Sequence, residues 1–349
     1  MDGKCKELVG KGMNQGYKIV SCASFGSSGS GVVTDYLSEF ECIYNPGDYE
    51  FRFLQDYGGI TTLEDCLVHS HHRHNSDIAI KLFKKYVDYQ SGDIFNRRYE
   101  RFFGGKFKEL SYRFLDEIID AEWQGYWEEY QVLSPVIVTI LKYKIYPRLL
   151  RLLSGNKGYI AKYVPRKKMY FANPTPEYFV ECVQRYLEGL FQVVDTTHKY
   201  KYLFFDQLLP SDDINRYFKY FKDLHVIVVD RDPRDYYIEN VLRFGEGWVP
   251  RDLDKYIIFY KGVRKKLVPA LDNPNILRIR FEDTIYHYDE FAKQINVFLN
   301  LSSEEHTCPF KHFNPEKSVH NTRLWEKMKV SPTIISRIEN ELGEYCYPF

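Results

Sequence analysis

From Gly16 to Ser24 the chain reads GYKIVSCAS, an apolar, β-rich run with glycine before it and a turn-rich loop after it. This is the pattern of a buried strand. Beyond the loop, Val32, Val33, Tyr36, Leu37 and Phe40 recur at helical spacing, which puts one apolar stripe on a 3.6-residue period. The local order is strand, glycine loop, helix. Buried-strand character returns from Tyr200 to Leu209, from Leu224 to Asp232 and from Asn275 to Asp283. Helical patterns over Asp212 to Phe221, Pro233 to Phe244 and Leu253 to Leu267 separate these runs. Alternating strands and helices predict an α/β fold, a P-loop-like three-layer α/β/α arrangement around a central parallel sheet. Ligands of such sheets sit at the carboxyl ends of the strands.

Residues 61–160 break the alternation. Their segments TTLEDCLVHS, SYRFLDEIIDAEWQGYW and SPVIVTILKYKIYPRLLRLL carry helical periodicity and no clear strand. They predict a large helical insertion over the sheet, within a single 1–349 domain. The last segment carries Lys142, Lys144, Arg148 and Arg151 among Ile, Leu and Tyr. A core helix with a basic solvated face is expected there, with contact to a membrane surface as the alternative.

Composition narrows the partners. Lys plus Arg and Asp plus Glu both number 48, so no global field favours nucleic acid and any basic site is local. The seven cysteines are scattered and lack a CxxC pair, as expected of reduced thiols in a cytoplasmic protein. The N-terminal MDGKCKELVGKGMNQG lacks the apolar core of a signal peptide, and no uncharged apolar run reaches the length of a transmembrane span. The 30 Tyr and 25 Phe fill a core and also suit contact with sugars or bases.

The loop is the first candidate for chemistry. Gly26 to Gly31 matches the G-x-x-x-x-G of a phosphate cradle, but Val32 and Val33 stand where a nucleotide-binding P-loop has Lys and Ser/Thr. A cradle of Gly26, Ser27, Ser28, Gly29, Ser30 and Gly31 would work through main-chain N–H groups. The second candidate is Arg231-Asp232-Pro233-Arg234-Asp235, where guanidinium groups at a strand end suit phosphate or sulfate and Pro233 opens a helix.

Together these elements resemble the sulfotransferases that use 3′-phosphoadenosine-5′-phosphosulfate (PAPS). Ser28-Gly29-Ser30 is similar to the S-G-[ST] part of that family's 5′-phosphosulfate loop, and Arg231 to Asp235 to its R-[ND]-P-[RK]-D motif for the 3′-phosphate. Arg278 to Leu301 resembles the family's late strand, Glu-Asp and helix, and Phe313 to Lys327 resembles a late loop of bacterial members. The resemblance covers residues 17–40 and 200–327. It implies a cytoplasmic, bacterial, metal-independent sulfotransferase moving sulfate from PAPS to a hydroxyl of a saccharide or similar polar acceptor.

The chain departs from the pattern in three places. Ser27 stands where the family has Lys or Arg, Glu239 stands where it has a serine for the 3′-phosphate, and the final G-x-x-G is absent. Compensating charge is expected from Lys317 and Arg323, or from Arg166, Lys167 and Lys168. Ser318 and Asn321 join that late cluster, with Trp325 stacking on adenine or sugar. The base must sit at a strand's carboxyl end. Asp206 answers this and is similar to the Glu of the E-K-[ST]-P pattern in sugar sulfotransferases, and His198 with Asp195 is the reserve. His69, His71, His72 and His74 match no metal-site spacing. A P-loop small-molecule kinase and a non-catalytic nucleotide or glycan binder are the alternatives.

Overall fold

The computed structural model describes residues 16–92, 95–127, 135–155, 158–245, 247–265, 267 and 272–349. The chain divides into two compact units, residues 1–55 with 187–349 and residues 56–186.

The first unit is built on a five-stranded sheet in the order β2-β5-β1-β6-β7. Its strands are β1 (Lys18–Ser24), β2 (Ile43–Tyr44), β5 (Tyr202–Phe204), β6 (Asp223–Asp230) and β7 (Ile276–Arg280). Every neighbouring pair is parallel. β1 and β6 pair along their length, from Lys18 opposite Asp223 to Ser24 opposite Val229. Both strands are continuous apolar runs because helices cover both faces of a parallel sheet. Val20, Cys22, Ile227 and Val229 of these strands pack with Val33 and Tyr36 of helix α1 (Gly31–Leu37) and with Phe291 and Ile295. The chain leaves β1 toward β2 and β5 on one side, and β6 and β7 lie on the other. The carboxyl end of β1 is thus the point where the winding direction changes, and a crevice forms at such points.

The α/β expectation matches this sheet, with local differences. The expected strand Tyr200 to Leu209 is regular only over Tyr202–Phe204. Gln207 takes a left-handed φ of 56°, which turns the chain out of the ladder. The pairing does not end there, since Asp206 bridges Glu50 and its carbonyl accepts the Phe51 N–H at 2.8 Å. Asp212 to Phe221 forms a 3-10 helix, Ile214–Tyr220.

The second unit contains the helices Arg73–Ser91 and Phe107–Ile118, packed through Phe83 on Phe114 (5.9 Å between rings) and Phe114 on Tyr186 (5.3 Å). It also contains an antiparallel pair, β3 (Ala121–Gly125) and β4 (Lys167–Phe171). The reading of residues 61–160 as free of strands is corrected by β3. Its AEWQG sequence is almost wholly exposed and lacks β-branched residues, so its pairing rests on β4, with Lys168 reaching Glu122 at 2.6 Å across the strands. The core-helix reading of residues 134–153 also fails, because only Tyr143 and Pro147 of Val136–Leu153 are buried.

The end of β6 carries a buried charge cluster. Asp230 accepts from Arg264 Nη2 at 2.8 Å and from the Arg231 N–H at 2.9 Å, and Arg278 reaches its other oxygen. Burial raises the Asp230 pKa, yet Arg264 and Arg278 hold it below the ordinary carboxylate value. The Arg264 guanidinium lies 3.4 Å from the Tyr260 ring centre and 4.0 Å from that of Phe25, the first residue past β1. Arg264→Met leaves Asp230 buried with one partner fewer and is expected to cost about 3 kcal/mol, read as a lower denaturation midpoint in urea.

Candidate active site

The loop between β1 and α1 is shaped by residues that only glycine fits. Gly26 has φ 72° and Gly29 has φ 102°. A Cβ on Gly29 would lie 2.4 Å from Phe281, and one on Gly26 would lie 2.7 Å from the Trp248 ring. Ser27 between them is also left-handed, at φ 49°. The Ser28 side chain is fully buried: its hydroxyl donates to the Val229 carbonyl at 2.8 Å and accepts the Phe25 N–H at 3.2 Å. Ser28 therefore ties the loop to β6 and leaves the exposed work to the main chain.

Hydrogen bonding resumes after the loop, with Val32 N–H donating to Gly29 and those of Val33 and Thr34 to Ser30. The N–H groups of Ser27, Ser28, Gly29, Ser30 and Gly31 donate to no acceptor among the described residues. Successive unbonded amides across left-handed residues form an anion-binding concavity. Val32 and Val33 pack into the core, so the positions that carry Lys and Ser/Thr in a nucleoside-triphosphate loop offer neither charge nor hydroxyl here.

Arg231 meets this loop directly. Its Nη1 donates to the Ser27 carbonyl at 3.1 Å and its Nη2 to the Asn321 carbonyl at 2.6 Å. The guanidinium lies 4.8 Å from the Phe281 ring centre. Its side chain is only 4% exposed, and Glu239 sits 3.7 Å from Nη2. Glu239 also contacts Arg243 at 3.2 Å, and Arg243 donates to the Asn321 side chain at 2.9 Å. Arg231 thus joins the loop to the 319–321 segment, and its charge is already opposed by a carboxylate.

Asp206 lies on the neighbouring strand end and is 6% exposed, with Oδ1 buried and unpartnered. Burial first, and the negative charge of Glu50 second, push its pKa up to about 8, against the pull of the Gln207 N–H and the Ser30 hydroxyl. A cleft of about 540 Å³ opens beside the loop, lined by Ser24, Gly26, Ser27, Arg52, Gln207 and Trp248 among others. Gln207 donates to the Ser24 hydroxyl, and Arg52 Nη1 stands 3.6 Å from Glu50.

The other expected site residues are more scattered. His198 stacks on Tyr17 at 4.4 Å, and Tyr17 immediately precedes β1, so His198 is at the amino end of the sheet and the loop at the other. Asp195 accepts the N–H groups of Lys199 and Tyr200 and shapes that turn. Trp325 is occupied by the chain itself: Arg234 lies 4.1 Å from its ring centre and Phe349 packs edge-on at 5.4 Å. Arg234 forks onto Asp232 and reaches Glu339 at 2.7 Å, so the second arginine of the motif fastens the C-terminal segment. The Arg323 guanidinium lies 4.8 Å from the Phe349 ring centre, while the N–H groups of Arg323 and Leu324 bind the Asp235 carboxylate. Lys317 is exposed and Ser318 partly buried on the helix Pro315–Ser318.

The histidines have separate tasks. His72 caps the helix Arg73–Ser91, His71 contacts the Ala172 carbonyl at 3.2 Å, and His74 lies against Trp127. His69 lies 3.8 Å from Glu64. Arg166, Lys167 and Lys168 belong to the second unit.

Sequence reasoning missed Arg52, Gln55 and Trp248 as cleft residues. Trp248 follows a glycine-rich turn, GEGW, and that placement was the available signal. Arg52 had none, since its position depends on Glu50 pairing with Asp206.

No family model and no curated protein matches the chain. Solved structures similar to it include the sulfotransferase domain of the Synechococcus PCC 7002 olefin synthase, with TM-score 0.44, 13% identity, and coverage of 99% of this chain and 100% of that one. STF1 from Mycobacterium tuberculosis H37Rv, a sulfotransferase, has TM-score 0.37 and 10% identity over 88% of this chain and 77% of that one. The sulfotransferase STF9 from Mycobacterium avium has TM-score 0.37 and 10% identity over 95% and 78%.

Two outcomes follow. Gly29→Ala forces a Cβ into Phe281 at an unfavourable φ, so it should lower the melting temperature by an amount worth about 1–3 kcal/mol. Asp206 keeps its proton up to about 8 in the folded protein but only up to 3.8 at its ordinary value. The native state therefore binds more protons in that window, and its contribution to stability falls as pH rises through it. Asp206→Asn should flatten this decline in melting temperatures measured across the window.

Proposed function

We propose that the chain transfers a sulfuryl group from PAPS to a hydroxyl of a saccharide or similar polar acceptor. The observation that carries this reading is the run of unbonded amides from Ser27 to Gly31 beside a buried carboxyl group, Asp206, poised near neutrality. The amides would hold the 5′-phosphosulfate. Arg231, fixed to Ser27, would act through the loop it anchors. Arg52, in the cleft with Ser27, would supply the cation that the loop lacks and steady the leaving phosphate.

The reaction is an in-line displacement. The acceptor oxygen bonds to sulfur, the sulfur–oxygen bond to the 5′-phosphate breaks, and the acceptor proton passes to Asp206. No redox change occurs, and 3′,5′-adenosine bisphosphate leaves with the electron pair. The kinase alternative is disfavoured by the buried Val32 and Val33. Ser27, standing where the sulfotransferases have a cation, favours a second reading, a binder that keeps the amide cradle without transfer, and the Arg231–Glu239 pair weakens contact with a 3′-phosphate in either reading.

Melting curves and transfer assays separate these readings. Bisphosphate at one hundred times its dissociation constant should stabilise the protein by about 2.7 kcal/mol, whereas ATP with Mg²⁺ should not. Sulfate transfer from labelled PAPS to a glycan pool should rise with pH toward about 8. It should fall about a hundredfold or more in Asp206→Asn and about tenfold in Arg52→Met. Stabilisation without any transfer identifies the binder, and stabilisation by ATP with Mg²⁺ alone removes the sulfuryl reading.

A further inference from the structure

We propose that the helical segment 136–153 of the second unit docks on an anionic phospholipid surface, lying in the plane of the headgroups. This inference is independent of the nucleotide site. The segment runs without a break through the helix Val136–Thr139, the π-helical stretch Ile140–Ile145 and the helix Tyr146–Leu153. Only Tyr143 and Pro147 are buried along it, and these hold it to its own unit, where the Tyr143 ring packs 5.3 Å from Tyr126.

The opposite side is apolar and exposed. Leu141, Ile145, Leu149 and Leu152 follow one another at intervals of four, four and three residues, the spacing of one helix face. Leu149 is 52% exposed and Leu152 77% exposed. Covering such side chains is favourable in proportion to the apolar area removed from water.

Charge identifies the covering surface. Lys144, Arg148 and Arg151 are also spaced by four and three residues and so form a ridge beside the leucines, with Lys142 nearby. No Asp or Glu occurs from Val136 to Leu153, although the whole chain is neutral. None of these basic side chains pairs with a carboxylate among the described residues; Arg148 donates to the Lys144 carbonyl at 3.0 Å. An apolar stripe flanked by unpaired basic residues fits the boundary between anionic headgroups and acyl chains, where the basic stems lie along the interface and their charges reach phosphate. A second copy of the same face would bring like charges together, which opposes association. Spanning is excluded for this segment, since no described helix is long and apolar enough to cross a membrane.

The test is flotation of the full chain with vesicles of phosphatidylcholine alone or mixed with phosphatidylserine. Binding should require phosphatidylserine and weaken with salt. Arg148→Gln with Arg151→Gln should reduce partitioning about twenty-five-fold, from roughly fivefold per basic residue. Leu149→Gln with Leu152→Gln should abolish it at an unchanged melting temperature. No binding by the unaltered chain overturns the proposal. So does equal binding to neutral vesicles, or a concentration-dependent dimer in sedimentation that the leucine variant dissolves.

Discussion

A single buried guanidinium joins the parts of the site. Arg231 donates to the Ser27 carbonyl from one nitrogen and to the Asn321 carbonyl from the other, linking the turn after β1 to a segment 90 residues further on than the arginine itself. A charge so completely withdrawn from water must be hydrogen-bonded and opposed; the two carbonyls take its terminal nitrogens and Glu239 opposes its charge, while Nε is buried without an acceptor among the described residues. The same contacts hold Ser27 in a left-handed conformation that a non-glycine residue adopts at some cost. The Ser27 carbonyl is turned to Arg231 and the Ser28 hydroxyl to Val229, and the amides from Ser27 to Gly31 meet no acceptor among the described residues.

Around this link, the strand ends collect carboxylates in contrasting states. Asp230 is held low by two arginines. Burial pushes Asp235 and Glu282 up to about 7 and Asp206 up to about 8. The difference follows from partners: Asp235 binds main-chain amides opposite Arg231, whereas Asp206 faces a second carboxylate, Glu50, and keeps an oxygen unpartnered. Carboxylates with separated pKa values take separate roles. Here Asp230 is structural, while Asp206 is equipped to exchange a proton near neutrality.

The central strands and the loop were legible because their signals are local: continuous apolar runs, glycines at fixed spacing, and Pro233 after an arginine at a strand end. β2, two residues long, carries no periodicity to read. β3 was missed because its pairing depends on a distant strand. Asp206 was readable at a strand end, but its elevated pKa arises from burial first and from Glu50 second, the latter brought beside it by an isolated bridge, and neither is visible in the local sequence. The surroundings of Trp325 were hidden for a similar reason, since Arg234 and Phe349 reach its ring from elsewhere in the chain. The basic segment 136–153 displayed its pattern plainly. Which face was covered depended on tertiary packing.

The most direct measurement is the amide ¹H–¹⁵N shift response as 3′,5′-adenosine bisphosphate is titrated into the protein. A phosphate seated on the loop should move the N–H signals of Ser27, Ser28, Gly29, Ser30 and Gly31 most, downfield, because these groups gain a charged acceptor. If those signals stay fixed while others shift, or if none shift, the loop does not hold the phosphate and the assignment of this site is wrong.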